Sequence, residues 1–208
     1  MFNKDFINQA NIPPKTFQIG IISGFILYSV YGFLDYFMLP ETHEVAWNIR
    51  FFLLGPSLII PFILSFQKRF HDFLGILTSF LIIVAQLGIF LMIFNAYPQE
   101  QGHDDYYVGL VLVILWAAFI FKLNYKIIAI TSFSTIIIYA YFAINLQDML
   151  MLGTNGPRFP IFFNNVLFLT SMSFLASIGS YLIADYTKKL QEEKIQIQKA
   201  LAKSRESD

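Results

Sequence analysis

Residues 73–94 read FLGILTSFLIIVAQLGIFLMIF, and no charge interrupts them; Gln86 is their one strongly polar side chain. Crossing the hydrocarbon core of a bilayer takes roughly 20 apolar residues of helix, at about 1.5 Å each. A strand is not an alternative, because an open edge would leave backbone groups unpaired in lipid. Five further runs have the same character: residues 17–38, 49–66, 106–123, 127–145 and 161–184. The second and fourth of the six are short. Pro40, Pro98, Pro157 and Pro160 fall between runs, where a missing N–H costs little. The sequence thus predicts an all-α membrane protein, a six-transmembrane-helix bundle over 17–184, with an N-terminal segment 1–16 and a charged C-terminal helix 185–208.

Composition agrees. The chain has 208 residues, of which 56% are hydrophobic and 13% charged, whereas soluble domains carry about a quarter charged. It has no Cys, which excludes disulfides, thiolate chemistry and Cys-ligated zinc. None of its three His (His43, His71, His103) lies in an apolar run, so an intramembrane serine protease has no base. Asp35 is the one candidate intramembrane Asp, and an aspartyl protease needs two. Residues 1–16 are polar and the following run lacks a small-x-small site, so a cleaved signal peptide is not expected.

Net charge is zero, but its placement is one-sided. With the N-terminus inside, Lys4, Lys15, Lys68, Arg69, Lys122, Lys126 and six tail residues face the cytoplasm, and of the 14 Lys and Arg only Arg50 and Arg158 lie outside. Six spans with both termini cytoplasmic satisfy the positive-inside rule. The outer loops are acidic: Glu41, Glu44, Glu100, Asp104, Asp105 and Asp148. Because the basic residues serve topology, no nucleic-acid partner is expected; the first partner is membrane lipid.

Several side chains are candidates for function. Residues 52–62, FLLGPSLIIPF, hold Pro56 and Pro61, and each removes a helix hydrogen bond and crowds the preceding turn. Such a helix is kinked or locally open, although membrane helices also simply tolerate Pro. A lipophilic pocket lined by Pro56, Pro61, Gln86, Trp116 and Asn164 is the functional reading; a buried Gln86 amide pairing two helices is the structural one. Asp35 and Arg50 lie on the same side, joined by a short loop, and an outer-rim ion pair is expected because intramembrane charge must be paired. Glu41, His43 and Glu44 lie between them. With His103, Asp104 and Asp105 they form a possible proton or metal sensor, but the spacings fit no metal motif and no metal is expected. In the sixth run Thr170, Ser171, Ser173, Ser177 and Ser180, with Ala176 and Gly179, suit a dimer or signalling interface.

Beyond Asp185 charges recur about every fourth residue. Ile183, Leu190 and Ile197 repeat every seven, and Leu201 adds a matching position, but Thr187 and Lys194 fill the others. The seam is short and weak, suited to loose pairing or a change of register; a solvated juxtamembrane helix is the plainer reading.

The stretch QKALAKSRESD, residues 198–208, resembles the linker preceding the phosphoacceptor helix of bacterial membrane-bound sensor histidine kinases. Ala200, Leu201, Lys203, Ser204, Glu206, Ser207 and Asp208 carry the match. The resemblance implies a membrane-embedded input domain of a two-component system in the bacterial inner membrane. It further implies a homodimer, and a cytoplasmic response regulator as partner of the full-length kinase. The chain departs from the family in having no phosphoacceptor box (His71 sits in FHDFLG) and no Gly-rich nucleotide boxes. No catalytic residue is therefore assigned, and ATP and Mg would belong to a kinase domain outside this chain. The membrane anchor of a class III nucleotide cyclase is the alternative, and NIRFFLLGP (48–56) would suit it. A small transporter has less support, since the runs lack ionisable groups along a path and show no internal repeat.

Overall fold

The computed structural model describes residues 12–150, 152–153 and 156–207. Residues 1–11 of the expected N-terminal segment, the side chains of 152–153, 156–157 and 203–207, and Asp208 lie outside that description. Helix α1 (Pro14–Met38) starts on Pro14, whose missing N–H would have had no intrahelical partner there. Helix α2 (His43–Trp47) runs directly into a π-helical stretch, Asn48–Leu54, and then α3 (Gly55–Leu64). A 3₁₀ turn (Lys68–Phe73) opens α4 (Leu74–Asn95). Helices α5 (Gln101–Asp105), α6 (Tyr107–Phe119) and α7 (Tyr125–Asn145) follow. A two-residue antiparallel pairing, β1 (Leu152–Gly153) with β2 (Gly156–Pro157), precedes α8 (Phe159–Ser207).

The fold is helical, and its long helices are compatible with a membrane bundle. Five helical stretches have the length and apolarity to cross a bilayer. The run at 106–123 is the exception, since α6 has 13 residues, about 20 Å of helix. Its end has a visible cause: Lys122 takes a left-handed conformation (φ 52°), and the next amide, Leu123 N–H, reaches back to Ala117 O. Asp148 (φ 50°) closes α7 in the same manner, with Met149 N–H on Ala143 O.

The expected disturbance by proline lies in the turn before Pro56. Pro56 offers no N–H and its ring crowds the carbonyl four residues back. The backbone widens there, and Gly55 N–H donates to Arg50 O, five residues earlier. Pro61 sits inside α3.

The exterior is apolar: Phe33, Phe52 and Phe174 are at least 65% exposed. Soluble monomers rarely present such a surface, which lipid would cover. Of the five long stretches, Lys68–Asn95, which contains α4, is the most enclosed, and the short α6 is enclosed as well, with Leu110, Ile114 and Ala118 buried. Close approach depends on Gly24, where a Cβ would lie 2.5 Å from Trp116 Cζ2, and on Gly88, where a Cβ would collide with Leu54 Cδ1. Gly24→Val should therefore cost about 1–3 kcal/mol through overpacking, read as a lower melting temperature in detergent.

Candidate functional site

Two helix ends and one loop bring opposite charges into the interior. Asp35 lies in the last turn of α1 and is fully buried; Arg50, in the π-helical stretch, is 4% exposed. Arg50 Nε donates to Asp35 Oδ2 and Nη2 to Oδ1, both at 2.8 Å, a two-pronged pair of the stronger kind. The Tyr106 hydroxyl donates to Oδ1 as well. Arg50 Cζ lies 4.6 Å from the centre of the Tyr28 ring, a cation–π contact, and Nη2 is 3.6 Å from Met92 Sδ. Gly32 makes room, since a Cβ there would sit 3.2 Å from Arg50 Cδ. The Gly32 carbonyl accepts from Trp47 Nε1 at 2.7 Å. The two residues meet as a buried pair, not as one at a wet rim, and Tyr106 completes it.

Glu100, counted in the sequence only as an outer acid, is 4% exposed and ties the loop after α1 to the loop after α4. Its carboxylate accepts from the Glu41 and Thr42 amides at 2.9 Å, Thr42 Oγ1 at 2.6 Å and the Tyr97 amide at 2.7 Å. Burial pushes its pKa up, but these four donors outweigh burial and hold it below the ordinary glutamate value.

The other loop candidates disperse. His43 Nδ1 is 3.0 Å from Pro40 O, with its ring edge-on to Tyr36 and Trp47. Glu44 is exposed in the first turn of α2, and Glu41 accepts from Gln99 at 3.5 Å. His103 pairs with Asp104 at 2.9 Å, and Arg158 approaches the same carboxylate at 3.6 Å. Among the described residues no group of three or more such side chains could hold a metal.

A cavity of about 360 Å³ opens beside the ion pair, between α1, the π-helix with α3, α4 and α6. Its walls include Leu27, Leu54, Leu81, Leu112 and Trp116, with Tyr28, Arg50 and Tyr106 also lining it. Of the five pocket candidates Trp116 alone is on these walls. Pro56 and Pro61 shape the helix behind them, Gln86 is buried on α4 with its amide nitrogen unpartnered among the described residues, and Asn164 borders a second, more polar depression beside Asp104 and Asn165.

Trp116 couples this cavity to the bundle. Its Nε1 donates to Gly20 O at 3.0 Å and Ser23 Oγ at 3.2 Å, fixing α1 to α6. Just beyond, α8 grips the end of α6: a Cβ on Gly179 would lie 2.8 Å from Phe119 Cε1, and the Ser180 hydroxyl donates to Leu123 O. Ser173, Ala176 and Ser180 are buried within the chain, so that part of the small-residue series packs inward; Thr170 and Ser171 are exposed. In the tail Leu190, Ile197 and Leu201 are exposed, Ile183 is half-buried, and Asp185–Lys189 pairs at 2.8 Å one turn apart.

No family model, curated protein or solved structure matches the chain.

Two outcomes follow from these geometries. Asp35→Leu or Arg50→Met alone strands a buried charge and should cost about 3–5 kcal/mol in detergent unfolding, whereas the double variant should recover most of it. Glu100, with its pKa depressed, stabilises the fold above the ordinary glutamate value near 4.5, and that contribution is lost as pH falls through the folded value. Glu100→Gln should flatten the acid limb of a melting-temperature profile and, at neutral pH, cost about 1–3 kcal/mol for donors left unpaired.

Proposed function

We propose that this chain is a membrane-embedded sensory input module of the histidine-kinase type, with six crossings and both ends in the cytoplasm. The observation that carries the reading is α8: 49 residues of unbroken helix, apolar at its start and charged beyond Asp185. A helix transmits a shift or rotation along its axis only if nothing interrupts it, and no break separates the bundle from the tail. The contacts of Gly179 with Phe119 and of Ser180 with Leu123 give α6 a hold on that helix. A stimulus acts by binding one of two packings of α6 and α8 more tightly than the other. The exposed seam of Leu190, Ile197 and Leu201 then passes the bias to a second copy of the tail. The reading assigns no catalysis to these residues; phosphate transfer belongs to a domain joined to the tail.

The absence of Cys makes the test clean, since any introduced thiol is unique in the chain. In native membranes Leu190→Cys and Ile197→Cys should cross-link between copies, while Glu192→Cys and Lys199→Cys, on the opposite face of the helix, should not. Adding Gly179→Val, which wedges α8 from Phe119, should change the seam yields at least about two-fold, a shift of roughly 0.4 kcal/mol in the pairing equilibrium. Yields without the seven-residue pattern, or indifferent to the wedge, would refute the relay.

A further inference from the structure

We infer that the cavity between α1, α3, α4 and α6 binds a small amphiphile with a neutral, hydrogen-bond-accepting carbonyl head and an apolar tail. This deepens the sensory reading by naming the class of its ligand, but binding itself is measurable whether or not the relay exists.

The volume decides the scale. About 360 Å³ lies at the lower end of the range in which pockets enclose small organic molecules. Access is from the side. Leu27 and Leu34 on α1 and Val108 on α6 line the cavity and are each 37–43% exposed on the apolar exterior, so an amphiphile enters from the lipid phase.

The head group follows from which polar atoms are already occupied. Asp35 is fully buried behind its bonds from Arg50 and Tyr106 and is not on the cavity wall, so it offers a ligand little. The Tyr28 hydroxyl is buried and has no partner among the described residues, although Tyr28 lines the cavity. A buried hydroxyl left unpaired costs about 1–3 kcal/mol, which a ligand acceptor would recover. Arg50 also lines the cavity with its guanidinium over the Tyr28 ring; Nε and Nη2 are engaged by Asp35 and Met92, and a guanidinium carries further N–H donors beside Tyr28. Two donors call for an acceptor. A carboxylate head is disfavoured, because the Arg50 charge is already matched by Asp35 and Asp105 also borders the cavity. An ammonium head would face the guanidinium. A ketone, quinone or ester carbonyl meets both donors and leaves the ion pair intact. The tail then lies along Leu54, Leu81 and Leu112 toward Trp116.

Trp116 reports on occupancy. The sequence has two Trp, so Trp47→Phe leaves Trp116 as the sole fluorophore. In that full-length background, in nanodiscs, quenching by bromododecanone, bromododecane and bromododecanoate should differ. The ketone should quench saturably and at least about ten-fold more tightly than the alkane. Tyr28→Phe keeps the ring under Arg50 and removes only the hydroxyl, so it should abolish most of that ten-fold preference. Ala85→Phe, which fills the cavity, should abolish saturable quenching by all three. Equal quenching by the three probes, insensitive to Ala85→Phe, would mean simple partition around the helices and would overturn the site. Tightest quenching by the carboxylate would overturn the assigned head group. Saturable ketone binding with unchanged tail cross-linking would sustain the site and refute the relay; the reverse pair of results would refute the site and sustain the relay.

Discussion

A carboxylate and a guanidinium withdrawn from water must satisfy each other, and one end of this bundle is organised around that demand. Asp35 has no exposure at all, and a lone ion in such a place is too costly to persist. Arg50 reaches it from a stretch of backbone that the π-helical turn has widened. Tyr106 adds a third donor to the carboxylate, Tyr28 lies against the guanidinium face, and Gly32 leaves the space the arginine stem needs. The pair thereby joins α1, the second helical rod and the start of α6. It is weak evidence for stability, since a well-packed apolar replacement of both partners could serve equally. What it adds is orientation: two donors in a fork accept only one relative placement of the helices.

The opposite end relies on shape. Gly20 and Gly24 let the rings of Phe121 and Trp116 lie against α1, and Gly179 admits Phe119 to α8. Without a hydrophobic drive between helices in lipid, such close contact and the hydrogen bonds that accompany it hold membrane helices together. The cavity lies where α1 and α6, held together at Gly20 and Gly24, are not so held further along. It is thus a consequence of one end being closed by small residues and the other by long charged ones. Its largely apolar walls suit apolar matter, while the Tyr28 hydroxyl, without a partner among the described residues, gives it direction.

Much of this was legible in the residues. The apolar runs, the helix class and the charged tail follow from composition and run length, which depend on no contact. Charge pairing of Asp35 with Arg50 was also readable, because only one basic residue lies near enough in sequence on that side. Tyr106 was not, being 71 positions from Asp35 and carrying no local signal. Glu100 looked like one outer acid among several, and its four donors are gathered from three loop positions that only the fold brings together. Gln86 and Trp116 were both plausible pocket residues, yet they face different sides of their neighbours, since helix phase relative to other helices is absent from a single segment.

By itself, then, the sequence determined that the backbone must be helical and its surface apolar, because unbroken apolar runs of about 20 residues can satisfy their peptide groups in lipid only as helices. It also determined that the tail continues the last span, because no Gly or Pro stands between them. Tertiary structure decided which face of each helix turns inward, that α6 stops at 13 residues, and where a cavity remains. Those outcomes depend on side-chain volumes meeting across helices, and volume becomes a constraint only once the helices are packed.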